Sequence, residues 1–394
     1  MSETEQLRHA NNNAVDVFEQ RRFLMSDVFS FSDDLGPLKV IHVNVPKHHV
    51  KGILVVDNVA AGPGIGGLRM APDVTLAECF RLARAMTLKN AAAGLPHGGG
   101  KSVMIRDPHM PGPEKEVMIR AFAKALANEN QYIFGPDMGT DEQCMAWIKD
   151  EIGRAVGLPR AVGGIPLDEL GATGYGLAAA ADVVIDYCDF DIDGARLAVQ
   201  GFGSVGMHSA NFLAERGVKL IAAADSKGTL FDPVGLDVQA LIAHKQSGQS
   251  VTTFGSGAVL DQDAIIGIDC DIWIPAARPD VINMSNWNDF KAKLILQGAN
   301  IPITIDAERK LEQNGVIIIP DFIANAGGVI CAAMEFQGET KTGAFNAITE
   351  KISHNTREIL KRAKHEDRST REAAESLARE QLRVAMDTRR FGVF

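Results

Sequence analysis

Long apolar runs are missing from this chain. No stretch approaches the roughly 18 uninterrupted apolar residues of a membrane span, so no transmembrane helix is expected. An apolar signal core is missing from MSETEQLRHANNNAVDVFEQ, and the expected compartment is the cytoplasm. Cysteine is scarce. Cys79, Cys144, Cys188, Cys270 and Cys331 are odd in number, scattered and without a CxxC pair, which excludes a disulfide framework and gives no zinc pattern. Positive charge is short as well: a formal net charge of −10 with no basic stripe argues against nucleic acid as a partner. Repeats and low-complexity tracts are absent. What is there is a chain of 394 residues, 46% hydrophobic, whose length makes two domains the default.

The stretch from Gly66 to Arg106 organises the rest. Asp73 and Thr75 are capping candidates for a helix whose apolar face is Leu76, Phe80, Leu82, Ala83, Met86 and Leu88. Lys89 falls near the end of that helix, and Pro96 stops regular structure. Gly98, Gly99 and Gly100 read as a segment where backbone approaches a ligand, and Ser102 to Ile105 as the start of a buried strand. Lys101 is thus expected at a loop-to-strand edge, and Gly66-Gly67 in a turn. An apolar, glycine-rich setting lowers a lysine pKa toward neutral pH, whereas the bland alternative is two solvated surface charges. A phosphate-binding loop of the G-x-x-x-x-G-K-S type is set aside, because it needs glycine where this chain has Leu95.

Taken in order, residues 1 to 30 suggest a helix with Val15, Phe18, Phe23 and Leu24 on one face. Strands are expected at Leu38 to Val43 and Val50 to Val59, a helix from Glu114, and a short strand at Tyr132 to Phe134 ended by Gly135-Pro136. Asp137 follows that strand. An aspartate before a helix is usually a cap, but Thr140 and Asp141 are better placed for capping and release Asp137 for chemistry. The Gly- and Pro-rich segment from Gly157 reads as the crossing between domains.

Arg196 to Gln200 is then a strand, Gly201-Phe202-Gly203-Ser204-Val205-Gly206 is a GxGxxG turn, a helix follows, and the next strand ends at Asp225. An acidic residue about 20 positions beyond the glycines completes the dinucleotide-binding context. The helix N-terminus would hold the pyrophosphate, and Asp225 the adenosine ribose, which favours NAD. Ser226 and Lys227 soften that preference, so NADP stays open. Further strands are expected from Cys270, up to Asn300, and up to about Asn325. From about Lys341 the chain is charged and helical.

Together GGLRM, MTLKNA, GGGK, GPDMGT, GATGYG, GFGSVG, QGAN and NAGGV resemble the glutamate/leucine/phenylalanine/valine dehydrogenase family, over residues from about 40 to 345. The resemblance implies NAD(P)-dependent oxidative deamination of an L-amino acid to a 2-oxo acid and ammonia. It implies that Lys89 grips the substrate α-carboxylate, that Lys101 activates water and stabilises charge, and that Asp137 shuttles a proton on the amino group. It further implies that Gly66 and Gly67 line the substrate pocket, and that Thr173, Asn300 and Asn325 lie near the nicotinamide and its ribose. A homo-oligomer is implied too, since family members form hexamers, octamers or dimers.

At the side-chain pocket the chain departs from the glutamate branch. Ile65 stands where that branch has a lysine, and Ala332 where it has a serine. Losing both partners would leave a substrate γ-carboxylate buried and unpaired, which favours an apolar or aromatic amino acid and the leucine/phenylalanine branch. GATGYG and QGAN look closer to the glutamate branch, and Arg278 is a candidate replacement cation, although a surface arginine reads as easily. The alternatives are therefore a glutamate dehydrogenase with a non-standard carboxylate site and, outside the class, a cofactor-binding scaffold without catalysis. The expected architecture is α/β with two domains. An α+β substrate and oligomerisation domain spans residues 1–160 and is completed by 341–394, and a Rossmann-type doubly wound domain spans 161–340, with the active site in the cleft between them.

Overall fold

The structure, a computed structural model, describes residues 29–389, so the expected N-terminal apolar face lies outside the described residues. The first sheet is built from β1 (Lys39–Val45), β2 (Val50–Asn58), β3 (Gly64–Ala71), β4 (Gly98–Ile105) and β5 (Tyr132–Pro136). Its order is β1-β2-β4-β3-β5. β4 runs antiparallel to β2 and parallel to β3, and β3 runs parallel to β5.

Two expectations change here. Gly66-Gly67 is not a turn but part of β3, and the triplet Gly98 to Gly100 is not a loop but the first half of β4. Lys101 therefore sits mid-strand in the interior of the sheet. The reason is close packing of backbone on backbone. A Cβ on Gly98 would lie 1.8 Å from the Asn58 carbonyl oxygen, and one on Gly99 2.1 Å from the Thr87 amide nitrogen. The glycines thus let the helix Leu76–Ala92 press onto β4. Thr75 caps this helix by accepting from the Glu78 amide, and Asn90 Nδ2 donates to the Gly98 carbonyl at 2.6 Å. Thr87 Oγ1 and Arg84 Nε both donate to the buried Asp57, at 2.6 and 2.8 Å, which fixes the helix over β2.

The second sheet holds β6 (Arg196–Gln200), β7 (Lys219–Asp225), β8 (Gly228–Phe231), β9 (Ala258–Leu260), β10 (Ile272–Pro275), β11 (Leu294–Leu296) and β12 (Ile317–Ile319). Its order is β12-β11-β10-β6-β7-β8-β9. The run from β12 to β7 is parallel, and β8 and β9 add antiparallel strands on one edge. β7 lies on one side of β6 and β10 on the other, so a crevice opens at the carboxyl ends of these strands, where parallel sheets bind ligands. The two antiparallel strands were not anticipated. The strand leading toward Asn325 is also shorter than expected: Pro320 ends it, and Asn325 lies between the short helix Asp321–Ala324 and the helix Gly327–Phe336.

The helices Lys341–Glu366 and Thr370–Thr388 touch both sheets' domains. Asn355 Nδ2 donates to the Ala92 carbonyl at 2.6 Å, at the end of the helix that carries Lys89. Arg371, at the start of the last helix, binds Glu308 at 2.7 Å and Asp321 at 3.2 Å, and its Nη2 donates to Gln297 at 3.0 Å. Among the described residues no helix is long and apolar enough to cross a membrane.

The packing account predicts that Gly99→Ala forces the helix off β4. The expected loss is about 1–3 kcal/mol of stability, typical of overpacking. Urea unfolding checks it, and an unchanged midpoint contradicts it.

Candidate active site

β3 lies between β4 and β5, so Lys101 on β4 and Asp137 just beyond β5 have to meet across it. They do: Lys101 Nζ donates to Asp137 Oδ2. The position beneath them is Gly67, where a Cβ would lie 2.7 Å from Asp137 Cβ and 3.2 Å from Lys101 Nζ. Any other residue there would wedge the pair apart. Gly66 plays a different part. Its Cβ position is only 1.8 Å from the Gly100 carbonyl oxygen, and its own carbonyl accepts from the Tyr132 hydroxyl at 2.7 Å, so it seals β3 against β4.

Three further contacts hold Asp137. Thr140 Oγ1 accepts from its amide at 3.1 Å and donates to the Leu68 carbonyl at 2.7 Å. The Met138 amide donates to Asp137 Oδ1 at 2.6 Å. Arg69 Nη2 stands 3.5 Å from the same oxygen, and its Nη1 is anchored on Glu78 at 2.6 Å. Asp141, not Asp137, caps the helix Glu142–Ile152. Burial alone would raise the Asp137 pKa. The Lys101 and Arg69 cations outweigh it and hold the carboxyl at about 2, so Asp137 is an anion at neutral pH.

Lys89 points at the same region from the helix above. It forms no hydrogen bond or ion pair with any described residue. Loss of solvent pushes its pKa down to about 8. Asp321, from the second domain, pulls it up, the Lys101 charge pushes it down, and Asp137 pulls it up. A desolvated ammonium with no partner among the described residues suits an anion. Ile65 and Ala332 are 3% and 6% exposed and belong to one large apolar cluster that includes Ile133, Val156 and Ile165. Arg278 is exposed and faces Asp263 at 3.8 Å.

The nucleotide crevice is shaped for a dinucleotide. Gly201 has φ +94° and its Cβ position is 2.5 Å from Ala277 Cβ, so the turn tolerates only glycine. The Cβ position of Gly203 faces open space, and the helix Ser204–Ala214 has no side-chain cap, which leaves its first amides for an anion. Gly206 packs on the Gly201 carbonyl, and Val205 Cγ1 lies 3.2 Å from the Cβ position of Gly298. Asn325 Nδ2 donates to Asn300 Oδ1 at 3.0 Å, while Asn325 Oδ1 and Gln200 Oε1 are buried acceptors without partners among the described residues. Thr173 Oγ1 lies 3.1 Å from the Cβ position of Gly328, placing it beside the same helix start. Open backbone, uncapped amides and unfilled acceptors together fit a nicotinamide dinucleotide.

Asp225 ends β7 as expected, but its carboxylate is already engaged. Lys245 Nζ at 2.8 Å, Ser250 Oγ at 3.0 Å, and the Val251 and Lys227 amides at 3.0 and 2.9 Å all donate to it. Ser226 is exposed at the adjoining turn.

Arg69, Thr140 and Asp321 were not singled out from the sequence. Arg69 was legible, since two residues along a strand from Gly67 it shares that residue's face. Thr140 was seen only as a possible cap. Asp321 carries no local signal, and only the fold brings it near Lys89.

An amine in the middle of one strand paired with a carboxylate just beyond another, together with a dinucleotide crevice in the next domain, defines a two-domain nicotinamide-dependent dehydrogenase. Residues 163–390 match Glutamate/Leucine/Phenylalanine/Valine dehydrogenase, and residues 37–154 match the Glu/Leu/Phe/Val dehydrogenase dimerisation domain. Among similar proteins, the glutamate dehydrogenase of Aeropyrum pernix is 36% identical over 84% of this chain and 85% of its own. The NADP(+)-dependent glutamate dehydrogenase of Pyrobaculum calidifontis is 35% identical over 90% of this chain and 91% of its own. The hetero-hexameric glutamate dehydrogenase of Thermus thermophilus, in a Leu-bound form, superposes with a TM-score of 0.82 at 28% identity, over 91% of each chain. The chain belongs to the Glu/Leu/Phe/Val dehydrogenase family and is an amino acid dehydrogenase.

The Lys89 environment sets a pH dependence. Its pKa lies below the usual lysine value, so the cation is present below pH 8 and is lost above it. A 2-oxo acid has no amine to titrate, which isolates this effect. Its affinity for the enzyme–NADH complex, read from NADH fluorescence, is expected to hold below pH 8 and fall above it. Lys89→Met should bind weakly at every pH, and a wild-type profile in that variant contradicts the assignment.

Proposed function

We propose that this dehydrogenase deaminates L-amino acids with apolar or aromatic side chains, giving the 2-oxo acid and ammonia, with NAD as the preferred coenzyme. The observation that carries the substrate reading is that Ile65 and Ala332 are both buried apolar residues, standing where the resemblance to the glutamate branch implies a lysine and a serine. A substrate γ-carboxylate would be desolvated there without a partner, at a cost of several kcal/mol. The second reading is glutamate, supported by the names of the relatives from Aeropyrum pernix and Pyrobaculum calidifontis. It requires a cation for the side-chain carboxylate, and the candidate Arg278 is exposed and faces Asp263 at 3.8 Å.

In this reading the unpaired Lys89 ammonium binds the α-carboxylate and fixes the orientation of Cα, which supplies much of the catalytic advantage. The α-ammonium faces the Asp137 anion, which accepts its hydrogen bond and then its proton. When bound, the nicotinamide accepts the hydride from Cα. Lys101, buried against Asp137, acts here in its neutral form, its ammonium proton having passed to solvent as the substrate ammonium arrives; it takes the proton of the water that attacks the substrate carbon, and the ammonium so formed stabilises the oxygen charge that develops there. Asp137 returns a proton to the departing amine. Gly201, Gly203, Ser204, Val205 and Gly206 would hold the pyrophosphate, Asp225 and Ser226 the adenosine ribose, and Thr173, Asn300 and Asn325 the nicotinamide end. Because Lys245 already neutralises Asp225, repulsion of a 2′-phosphate is weakened, and the preference for NAD over NADP is expected to be modest. The chain is further proposed to act as a homo-oligomer.

The test is NADH or NADPH formation across the common L-amino acids with both coenzymes. Higher kcat/KM for leucine, valine or phenylalanine than for glutamate is expected, and a preference for glutamate selects the second reading. Lys101→Ala should lose at least about a hundredfold in kcat, the usual scale of proton-transfer catalysis. Full turnover in that variant removes the role given to Lys101.

A further inference from the structure

The segment that joins the two domains is tied down by one side chain. Glu335 lies near the end of the helix Gly327–Phe336. Its Oε1 accepts from the Leu158 amide at 3.2 Å and its Oε2 from the Ile165 amide at 2.8 Å. One carboxylate thus closes both ends of the loop Leu158–Ile165. The loop is tight, since a Cβ on Gly164 would lie 2.0 Å from the Leu158 carbonyl oxygen.

On one side this grip leads to Asp137. The Val156 amide donates to the Phe134 carbonyl at 2.8 Å, and the Phe134 amide to the Arg154 carbonyl at 3.3 Å. The segment just before Leu158 is therefore laid along β5, the strand that ends at Asp137. On the other side it leads to the pocket wall. Ala332 is three residues before Glu335 on the same helix, which places the two on one face. Asn325 stands just before the helix begins. The next residue, Phe336, meets His97 of the first domain edge-on, with ring centroids 5.7 Å apart at 81°. Burial raises the Glu335 pKa, and the Ile165, Leu158 and Gly157 amides, with the Lys149 charge as the smallest influence, pull it back. No side-chain cation forms an ion pair with it among the described residues. A half-buried carboxylate without an ion pair adds little to stability by itself. It does supply two strong, directional acceptors at a fixed spacing.

We propose that Glu335 is a positioning residue for deamination: it sets the pocket wall at Ala332 and the helix start at Asn325 against the strand that carries Asp137. This rests on the reading of Asp137 and Ala332 as parts of the substrate site. Glu335 touches no reacting atom and acts only through the Leu158–Ile165 loop.

The experiment uses full-length Glu335→Gln and Glu335→Ala, assayed well below their unfolding temperatures. Three quantities are read: kcat and KM for the best amino acid, NADH affinity, and hydrogen exchange at the Leu158 and Ile165 amides. The carboxamide keeps one acceptor, so Glu335→Gln should lose about tenfold in kcat/KM, the effect of a small misplacement, and Glu335→Ala more. NADH affinity should stay as in the wild type, and both amides should exchange faster. Wild-type kcat/KM in the folded variants overturns the proposal. So does a matching loss of NADH affinity, which marks a general disruption of the second domain. If Glu335→Ala does not fold, Glu335→Gln carries the test alone. Failure of the site reading is distinct: it shows as retained turnover in Lys101→Ala, whatever Glu335 does.

Discussion

The contact between Lys101 and Asp137 is the constraint on which the rest of this site depends. The two residues come from strands that are not neighbours, and β3 runs between them. They meet only because β3 offers no side chain at Gly67. A buried ion pair is poor value for stability, since desolvation offsets most of the attraction. Its retention here, with Arg69 beside it and Thr140 fixing the aspartate backbone, makes sense as chemistry: a carboxylate kept ionised within reach of an amine.

Around this pair the two domains share electrostatics as well as apolar contact. Lys89 belongs to the first domain, yet Asp321 of the second helps to keep it charged. Asp321 is itself fixed by Arg371 from the last helix and by the Ile301 amide, which donates to it at 2.9 Å. The Lys89 ammonium therefore responds to how the second domain sits. An apolar cluster that includes Ile65, Ile165 and Ala332 spans the same junction. Closure of such a cleft on substrate would exclude water and strengthen each of these charges.

Much of this was legible in the sequence, and the misses have physical causes. The strand–glycine turn–helix–strand unit ending at Asp225 was recognisable because each of its parts has its own local signal. Thr75 and Asp141 were readable as caps, and naming Asp141 freed Asp137 for the site. The triplet Gly98 to Gly100 misled because glycine marks close approach without saying what approaches: here it is the Thr87 backbone and the Asn58 carbonyl. β8 and β9 are too short to show a period, and β12 is cut off by Pro320. Asp225 looked like a free ribose acceptor, because Lys245 and Ser250, which occupy it, arrive from a later helix and turn. The Glu335 clasp spans 177 and 170 residues to its two amides, a separation no local pattern reports.

The most direct measurement of the central claim is the turnover of Gly67→Ala. The added methyl would crowd Asp137 Cβ and the Pro136 carbonyl oxygen, at 2.7 and 2.8 Å, and sit against Lys101 Nζ. If the amine and carboxylate must meet over this gap, kcat falls by about a hundredfold or more while NADH binding persists. A Gly67→Ala enzyme that folds and turns over at the wild-type rate would show that the pair is not the centre of the chemistry.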